Sequence, residues 1–235
     1  MTPQRRLTII RNDKDVPAGH VERVAVGHEI PIDHVFLDEG DSLPDPSEVD
    51  AAVVLGGAMG AYDTDKVSYL EPEKELLRVL VEMGVPVLGL CLGCQLLADV
   101  LGGSAYLADR PEVVFAEMTM VEDDPVVSVL ASHRSLAMHR DTWDLPPGGR
   151  LVSHTVRHNG AFRFGSALGV QPHPEVDEAA ITDWLTRPSG VALAAAAGSD
   201  PGETLKEHLA VPDEVEAAAD AMFTAWFREA GLLDR

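Results

Sequence analysis

VPVLGLCLGCQLLADVLGG, residues 85–103, is the stretch that decides the predicted fold. Residues 85–90 form an apolar run with the length and composition of a buried strand. Apolar residues then recur at helical spacing up to the pair Gly102-Gly103, where a helix would end. The stretch therefore predicts a buried strand that turns sharply into a helix at Cys91.

Cys91 lies between Gly89 and Gly93 at this turn. A strand-to-helix turn of this kind lifts a nucleophile out of a sheet, and here the nucleophile would be a thiol. The positive end of the following helix would stabilise the thiolate, which is the reactive form. Cys94 falls inside the predicted helix, and we interpret it as a packing residue rather than a redox partner.

Three further apolar runs, residues 7–10, 34–37 and 51–55, indicate strands ahead of the one at 85–90. Residues 73–83 carry leucines at helical spacing between the strand at 51–55 and the strand at 85–90. Strands that alternate with helices form a parallel sheet covered on both faces. Short strands are predicted over residues 113–121, 136–139, 151–155, 161–164 and 167–170, as hairpins beside or extending the main sheet. Helices are predicted over residues 178–186, 191–197, 205–209 and 213–230.

Composition excludes some classes of partner. The 235 residues include 18 Lys and Arg against 39 Asp and Glu, for a formal charge of −21. This balance argues against a surface for nucleic acid or for anionic membranes. No apolar run reaches the roughly 18 residues that a membrane span needs, and the N-terminus lacks the apolar core of a secretory signal. Two cysteines so close in the chain favour a reducing compartment, and we expect a cytoplasmic protein.

A thiol nucleophile needs a base and a group that orients this base. His173 and Glu175, in GVQPHPEV (169–176), follow an apolar strand, and residues two apart in extended chain point to the same side. Donors for a developing oxyanion are also needed. The segment LGGAMG (55–60) follows the third strand, and the backbone N–H groups of Gly57 and Leu92 are the predicted donor pair.

Together, the segments LGGAMGAYD (55–63), PVLGLCLGCQLLADVLGG (86–103), HRDTWDLPPG (139–148) and GVQPHPEV (169–176) resemble class I glutamine amidotransferases, and more narrowly the stand-alone members similar to GMP-synthase glutaminases. The resemblance implies a triad of Cys91, His173 and Glu175 in a single domain over residues 1–235. It also implies a flavodoxin-like α/β fold: a mostly parallel sheet with helices on both faces and a smaller antiparallel hairpin section. The implied reaction is hydrolysis of the glutamine side-chain amide through a γ-glutamyl thioester, with no metal or cofactor.

The resemblance further implies that Gln95 helps to hold the substrate. A loop with His139, Arg140 and Asp141 would approach the amino-acid end of that substrate, although a structural role for His139 and Asp141 is an equal alternative. The sequence departs from the family pattern around the expected pocket. Pro172 replaces an aromatic residue, Met138 replaces Trp or Ser, and the glycine expected after PEV (111–113) is lost. These departures leave the substrate and the partner open.

Three functions are compatible with the sequence. The first is hydrolysis of a γ-glutamyl amide, either glutamine or a γ-glutamyl amine, with release of ammonia or amine. The second is a glutaminase subunit that feeds ammonia to a separate synthase. The third is a non-catalytic binding or regulatory protein on the same fold, which an intact triad disfavours. A cysteine peptidase or redox protein is disfavoured by the spacing of His173 and Glu175, and a homo-oligomer is compatible with the sequence.

Overall fold

Ten strands build two sheets in the structure, a computed structural model that describes residues 4–234. In chain order the strands are β1 (Leu7–Arg11), β2 (Ile32–Phe36), β3 (Ala51–Val54), β4 (Val87–Leu90), β5 (Ser104–Ala116), β6 (Thr119–Met120), β7 (Ser135–Asp144), β8 (Arg150–His154), β9 (Asn159–Phe164) and β10 (Ala167–Val170). The main sheet has the order β2-β1-β3-β4-β10-β9-β8-β6, and β5 pairs with β7 in a second sheet. The first five strands of the main sheet are parallel and the last three are antiparallel. This is the predicted mostly parallel sheet with a hairpin section.

Seven α-helices surround the sheets within the described range. They are α1 (His20–Gly27), α2 (Leu70–Glu82), α3 (Leu92–Val100), α4 (Glu178–Thr186), α5 (Pro188–Ala197), α6 (Pro201–Leu209) and α7 (Pro212–Glu229). Short 3-10 helices occupy Leu37–Glu39, Pro46–Glu48 and Val127–Ala131. None of the helices within residues 4–234 is long and apolar enough to span a bilayer.

The two faces of the main sheet carry separate hydrophobic clusters, as the side-chain alternation of strands requires. On β3, Ala51 and Val53 join the cluster that contains α1 and α7, whereas Ala52 and Val54 join the cluster that contains α2 and α3. All four residues are fully buried. The continuous apolar runs of the sequence therefore correspond to strands covered on both sides.

A third cluster joins the small sheet to the C-terminal helices. Val113 of β5 and Leu136 of β7 pack with Ile181 and Leu185 of α4 and Ala194 of α5. Helix α5 also lies along β5, since both Nε and Nη2 of Arg110 donate to the carbonyl of Ala197. The small sheet and helices α4–α5 thus form a unit beside the carboxyl ends of the parallel strands, where His173 meets Leu136 in a β-bridge.

The sequence-based elements differ most from the structure in three places. Strand β5 begins at Ser104 rather than 113 and ends at Ala116, because its first half is partly exposed and carries no continuous apolar run. Strand β7 continues to Asp144, so His139, Arg140 and Asp141 lie in a strand and not in a loop. Helix α1 was not predicted, since its N-cap Gly19 at φ 50° offers no side-chain capping signal.

Candidate active site

Cys91 occupies a strained position between β4 and α3. Its φ of 50° lies in the left-handed region, which is uncommon for a residue with a side chain. Such strain clusters at functional sites and is held there by the surrounding structure. Here the Cys91 N–H donates to the carbonyl of Val170 (2.9 Å), and its carbonyl accepts from the Gln95 N–H (3.0 Å). The thiol therefore stands at the start of α3 on a backbone fixed from both sides.

Two glycines allow this turn because the backbones approach closely on either side of it. A Cβ atom at Gly89 would lie 2.4 Å from the Gly93 carbonyl, and one at Gly93 would lie 2.3 Å from the carbonyl oxygen of Val54. Real Cβ atoms do not approach backbone atoms so closely. The first turn of α3 is thus packed directly on β3 and β4, and any side chain at either position would move it away.

His173 and Glu175 form a buried pair beside the thiol. His173 Nδ1 donates to Glu175 Oε1 at 2.7 Å, and both side chains are almost completely buried. The segment is anchored at two points, because His173 N donates to the Leu136 carbonyl (2.7 Å) and the Glu175 carbonyl accepts from His20 N (2.8 Å). A carboxylate held in this way fixes the orientation of the imidazole and leaves Nε2 as the nitrogen that can exchange a proton with the thiol.

His173 and Cys91 meet over Gly56. A Cβ atom at Gly56 would lie 3.2 Å from His173 Cε1 and 3.5 Å from Cys91 Cβ. Burial by itself lowers the pKa of His173, but the charges of Glu175 and Cys91 and the hydrogen bonds to them outweigh burial and hold the pKa well above its usual value. The imidazole is therefore a ready proton carrier at neutral pH.

The second cysteine has a different environment. Cys94 is fully buried, and its sulfur lies close to Gly169 of β10. Burial, reinforced by the negative charge of Cys91, raises the pKa of the Cys94 thiol well above its usual value. A thiol held neutral in this way is a poor nucleophile, so the two cysteines are chemically distinct.

The glycine loop, residues 55–60, lies against the start of α3. A Cβ atom at Gly57 would lie 2.8 Å from Leu92 Cδ2, so these two residues are neighbours. Within residues 4–234, neither the Gly57 N–H nor the Leu92 N–H has a hydrogen-bond partner. Next to them, the Ala58 N–H donates to Asp13 Oδ2 (3.1 Å), which ties the loop to the chain after β1.

A cleft of about 680 Å³ opens above these groups. Cys91 and His173 lie on its wall, together with Gly57 and Gln95. Its other wall is mostly apolar and comes from β5, β7, α4 and α5: Leu107, Ala108, Pro111, Met138, Trp184, Leu193 and Ala196. Charged groups are few and include Asp13, Asp15, Arg140, Asp141 and Arg187. The volume is in the range of about 300–1,000 Å³ that is typical of small-molecule sites.

The residues predicted to bind substrate differ in how they are held. Gln95 is buried at the cleft wall, where its Nε2 donates to the Asp141 carbonyl (3.3 Å) and to Gln171 Oε1 (3.2 Å). Asp141 accepts from Tyr62 Oη (3.0 Å) and pairs with the half-exposed Arg140 (3.1 Å). Gln95, Arg140 and Asp141 thus lie together on one side of the cleft.

His139 is committed to contacts within the protein. Its Nδ1 lies 2.8 Å from the Asp141 carbonyl oxygen, and its Nε2 lies 3.1 Å from Glu112 Oε2, both within hydrogen-bond distance. Burial alone would raise the pKa of Glu112, but hydrogen bonds from His139 and Thr155 outweigh burial and lower it. With both ring nitrogens engaged, His139 has the contacts expected from the structural alternative.

Three residues at this site were not predicted from the sequence. The ring of Trp184 packs edge-on against His173, with centroids 4.9 Å apart, and its Nε1 donates to the Asp15 carbonyl (2.7 Å). Asp13 holds the glycine loop, and Glu112 holds His139. Glu112 belongs to the segment PEV (111–113), but the sequence does not show what these residues contact, because the partners are far apart in the chain; Trp184 and Asp15 are separated by 169 positions. Among residues 4–234, no group of three His, Cys, Asp or Glu side chains has an arrangement suited to a metal ion.

Comparisons of this sequence with a family model and with known proteins agree with one another. A family model described as "Glutamine amidotransferase class-I" matches residues 22–184. A protein of Sulfolobus acidocaldarius, named as one subunit of a glutamine-hydrolyzing GMP synthase, is 30% identical over 151 residues, which are 62% of this chain and 77% of that protein. GMP synthase of Thermomicrobium roseum is 34% identical over 127 residues, which are 53% of this chain but only 23% of that longer protein.

Structural comparison agrees with this result. A crystal structure of a glutamine amidotransferase from Thermotoga maritima superposes with a TM-score of 0.83 and 26% sequence identity. The superposition covers 95% of this chain and 98% of the other, so the hairpin section and the C-terminal helices have counterparts there as well.

Proposed function

Because this chain belongs to the class I glutamine amidotransferase family, we propose that it hydrolyses a γ-glutamyl amide through a thioester on Cys91. The observation that carries the proposal is the position of Cys91: a positive-φ turn at the cleft, with the buried His173–Glu175 pair beside it. The difference between the two thiols supports it, because Cys94 is buried and its pKa is raised.

The first half of the reaction forms the thioester. His173 Nε2 takes the proton of the Cys91 thiol as the sulfur adds to the γ-carbonyl carbon, and the N–H groups of Gly57 and Leu92 donate to the oxyanion. The carbon–nitrogen bond then breaks, and His173 gives its Nε2 proton to the leaving ammonia or amine. The buried carboxylate of Glu175 stabilises the charged imidazole until this proton leaves.

The second half of the reaction returns the thiol. His173, now neutral, accepts a proton from a water molecule that adds to the thioester carbonyl. The carbon–sulfur bond breaks, glutamate leaves, and Cys91 recovers a proton from His173. One oxyanion forms in each half of the reaction, and both oxyanions accept from the N–H groups of Gly57 and Leu92. Neither N–H group has a hydrogen-bond partner within residues 4–234.

The size and lining of the cleft favour a substrate larger than glutamine. The volume of about 680 Å³ leaves room beyond the thiol, and the wall there is apolar, with Met138 and Leu193 among its side chains. A γ-glutamyl amine would place its γ-glutamyl part toward Gln95 and Arg140 and its amine part along this wall. Arg140 supplies a positive charge for the substrate carboxylate, and Asp141 supplies a negative charge for its ammonium group.

A second candidate is a glutaminase subunit that supplies ammonia to a separate synthase. It is favoured by the similarity to the Sulfolobus acidocaldarius protein, whose name makes it one subunit of a GMP synthase, over most of the length of that protein. In this case the amine-side part of the cleft would face the partner, and free glutamine would be the substrate.

A substrate screen separates these candidates. Purified protein is assayed for glutamate release from glutamine and from γ-glutamyl amines with apolar, anionic and cationic amine groups, with Cys91→Ala as the inactive control. Turnover of γ-glutamyl amines above glutamine supports the first candidate. Release of ammonia from glutamine alone supports the second. Tight binding without turnover of any of them contradicts hydrolysis and favours a regulatory protein.

A further inference from the structure

Asn12 and Glu73 form a buried polar pair that the proposed reaction does not use. Asn12 follows β1, Glu73 lies in the first turn of α2, and both are completely buried. Asn12 Nδ2 donates to Glu73 Oε1 at 3.0 Å. No other side chain of residues 4–234 hydrogen-bonds to the Glu73 carboxyl group, and none forms a salt bridge with it.

The side-chain oxygens that this hydrogen bond does not use have no partners. Asn12 Oδ1 and Glu73 Oε2 are both buried and unpaired in the part of the chain that the structure describes. Two bare acceptors would each lose their hydrogen bonds to water without replacement, which is unfavourable. A carboxylic acid, in contrast, carries an O–H donor, and an amide oxygen is the acceptor that such a donor needs.

We propose that Glu73 is a neutral carboxylic acid that forms a two-bond pair with Asn12, and that this pair positions the glycine loop for catalysis. In this pair Asn12 Nδ2 donates to Glu73 Oε1, and the Glu73 O–H donates to Asn12 Oδ1. Burial supports the neutral form, since it raises the pKa of Glu73 to about 8 despite the hydrogen bond from Asn12.

The link to the active site runs through Asn12. A Cβ atom at Gly57 would lie 3.5 Å from Asn12 Cβ, so the pair lies directly against the loop that supplies an oxyanion donor. Tyr69 Oη donates to the Asn12 carbonyl (2.6 Å), and the next residue, Asp13, accepts from the Ala58 N–H (3.1 Å). The segment after β1 is thus fixed to α2 on one side and to the glycine loop on the other.

The ionisable groups around the pair do not neutralise a charge on Glu73. Tyr69, just ahead of the same helix, is one of them, and burial together with the charges of Glu73, Asp38 and Asp13 raises its pKa to about 12. The pKa of Glu73 itself is set by burial and by the hydrogen bond from Asn12, and no positive charge opposes burial. Burial without a compensating cation favours the protonated form.

Two independent measurements test the pair. The first is infrared difference spectroscopy between wild type and Glu73→Gln at pH 6 to 9, together with chemical denaturation over the same range. We expect a buried carboxylic-acid band that is lost in Glu73→Gln and titrates near the upper end of the range. Exposed Glu71, in the same turn of α2, supplies the control variant Glu71→Gln. A carboxylate band at all these values would overturn the neutral pair.

The second measurement rests on the proposed function and compares kcat and KM at pH 7. Glu73→Gln keeps both hydrogen bonds and should retain kcat/KM within about threefold. Glu73→Ala and Asn12→Ala should each lower kcat by about tenfold or more. The upper limit of this loss is the fall of about 10²–10³ in kcat that follows the loss of one oxyanion donor. Equal activity of all variants, or equal loss in Glu73→Gln and Glu73→Ala, would overturn the positioning role. If wild type itself hydrolyses nothing, the proposed function fails, while the infrared band still decides the state of Glu73.

Discussion

Replacing Glu175 by Gln removes the charge that faces His173 while keeping the shape of the side chain. A single 2.7 Å hydrogen bond joins His173 Nδ1 to Glu175 Oε1, and Glu175 Oε2 has no hydrogen-bond partner within residues 4–234. Both groups are almost completely buried, so solvent screens the interaction little. The substitution therefore acts almost entirely on the imidazole.

The expected loss follows from this geometry. In a Ser-His-Asp triad, replacing the carboxylate that orients the base by its amide lowers kcat by about 10⁴. We expect the same change at Glu175 to lower kcat by about 10²–10⁴. KM should change by less than about threefold, because Glu175 does not line the cleft.

The pH dependence gives a second readout. The charge of Glu175 is one of the causes that hold the pKa of His173 well above its usual value. Without this charge the imidazolium loses its proton at lower pH, so the alkaline limb of the kcat/KM profile should move to lower pH. Steady-state glutamate release across pH 5 to 10 measures both effects, and exposed Glu178, replaced by Gln, is the matched control. A kcat within tenfold of wild type, or a loss confined to KM, would refute this role for Glu175.

The remaining predictions concern the turn, the buried acid and the apolar wall. Gly93→Ala places a Cβ atom 2.3 Å from the Val54 carbonyl oxygen and should destabilise the protein by about 1–3 kcal/mol in thermal unfolding; an unchanged Tm would contradict the packing of α3. The pKa of Glu73 is raised from 4.5 to about 8 in the folded protein, so the unfolded chain releases this proton at lower pH than the folded chain does. The free energy of unfolding should therefore fall by about 5 kcal/mol as pH rises from 4.5 to 8, at about 1.4 kcal/mol per pH unit. In Glu73→Gln, chemical denaturation should show no such fall. Parallel plots of unfolding free energy against pH for wild type and Glu73→Gln would contradict the raised pKa of Glu73. Leu193→Asp should raise KM for γ-glutamyl amines with apolar amine groups but leave KM for glutamine within about twofold; equal effects on both would place the amine elsewhere.

Strands β1, β3 and β4 could be predicted because each is buried on both faces. Val53 and Val54 pack into opposite clusters, and a run of apolar residues is the direct consequence. The turn at Cys91 could also be predicted, since the close approach of Gly89 and Gly93 to other backbone atoms admits no side chain. Where local chemistry demands one residue type, the sequence carries a readable signal.

Contacts between distant segments left no such signal. Trp184 meets His173 only because α4 folds back over the strand ends, and Asn12 meets Glu73 only because α2 packs on the face of the sheet that carries Ile10 of β1. The first half of β5 was missed for a related reason, since its strand pairing with β7 is satisfied by backbone hydrogen bonds and needs no apolar run. Gln95, Arg140 and Asp141 were named from resemblance, and their grouping on one side of the cleft depends on the β5–β7 sheet.

The claim that most depends on the geometry is that Cys91 forms the covalent intermediate. Intact-protein mass spectrometry after treatment with a glutamine-mimicking electrophile measures it directly. Wild type and Cys94→Ala should each gain one adduct, which peptide mapping assigns to Cys91, and Cys91→Ala should gain none. An adduct that persists in Cys91→Ala, or one that maps to Cys94, would contradict the account.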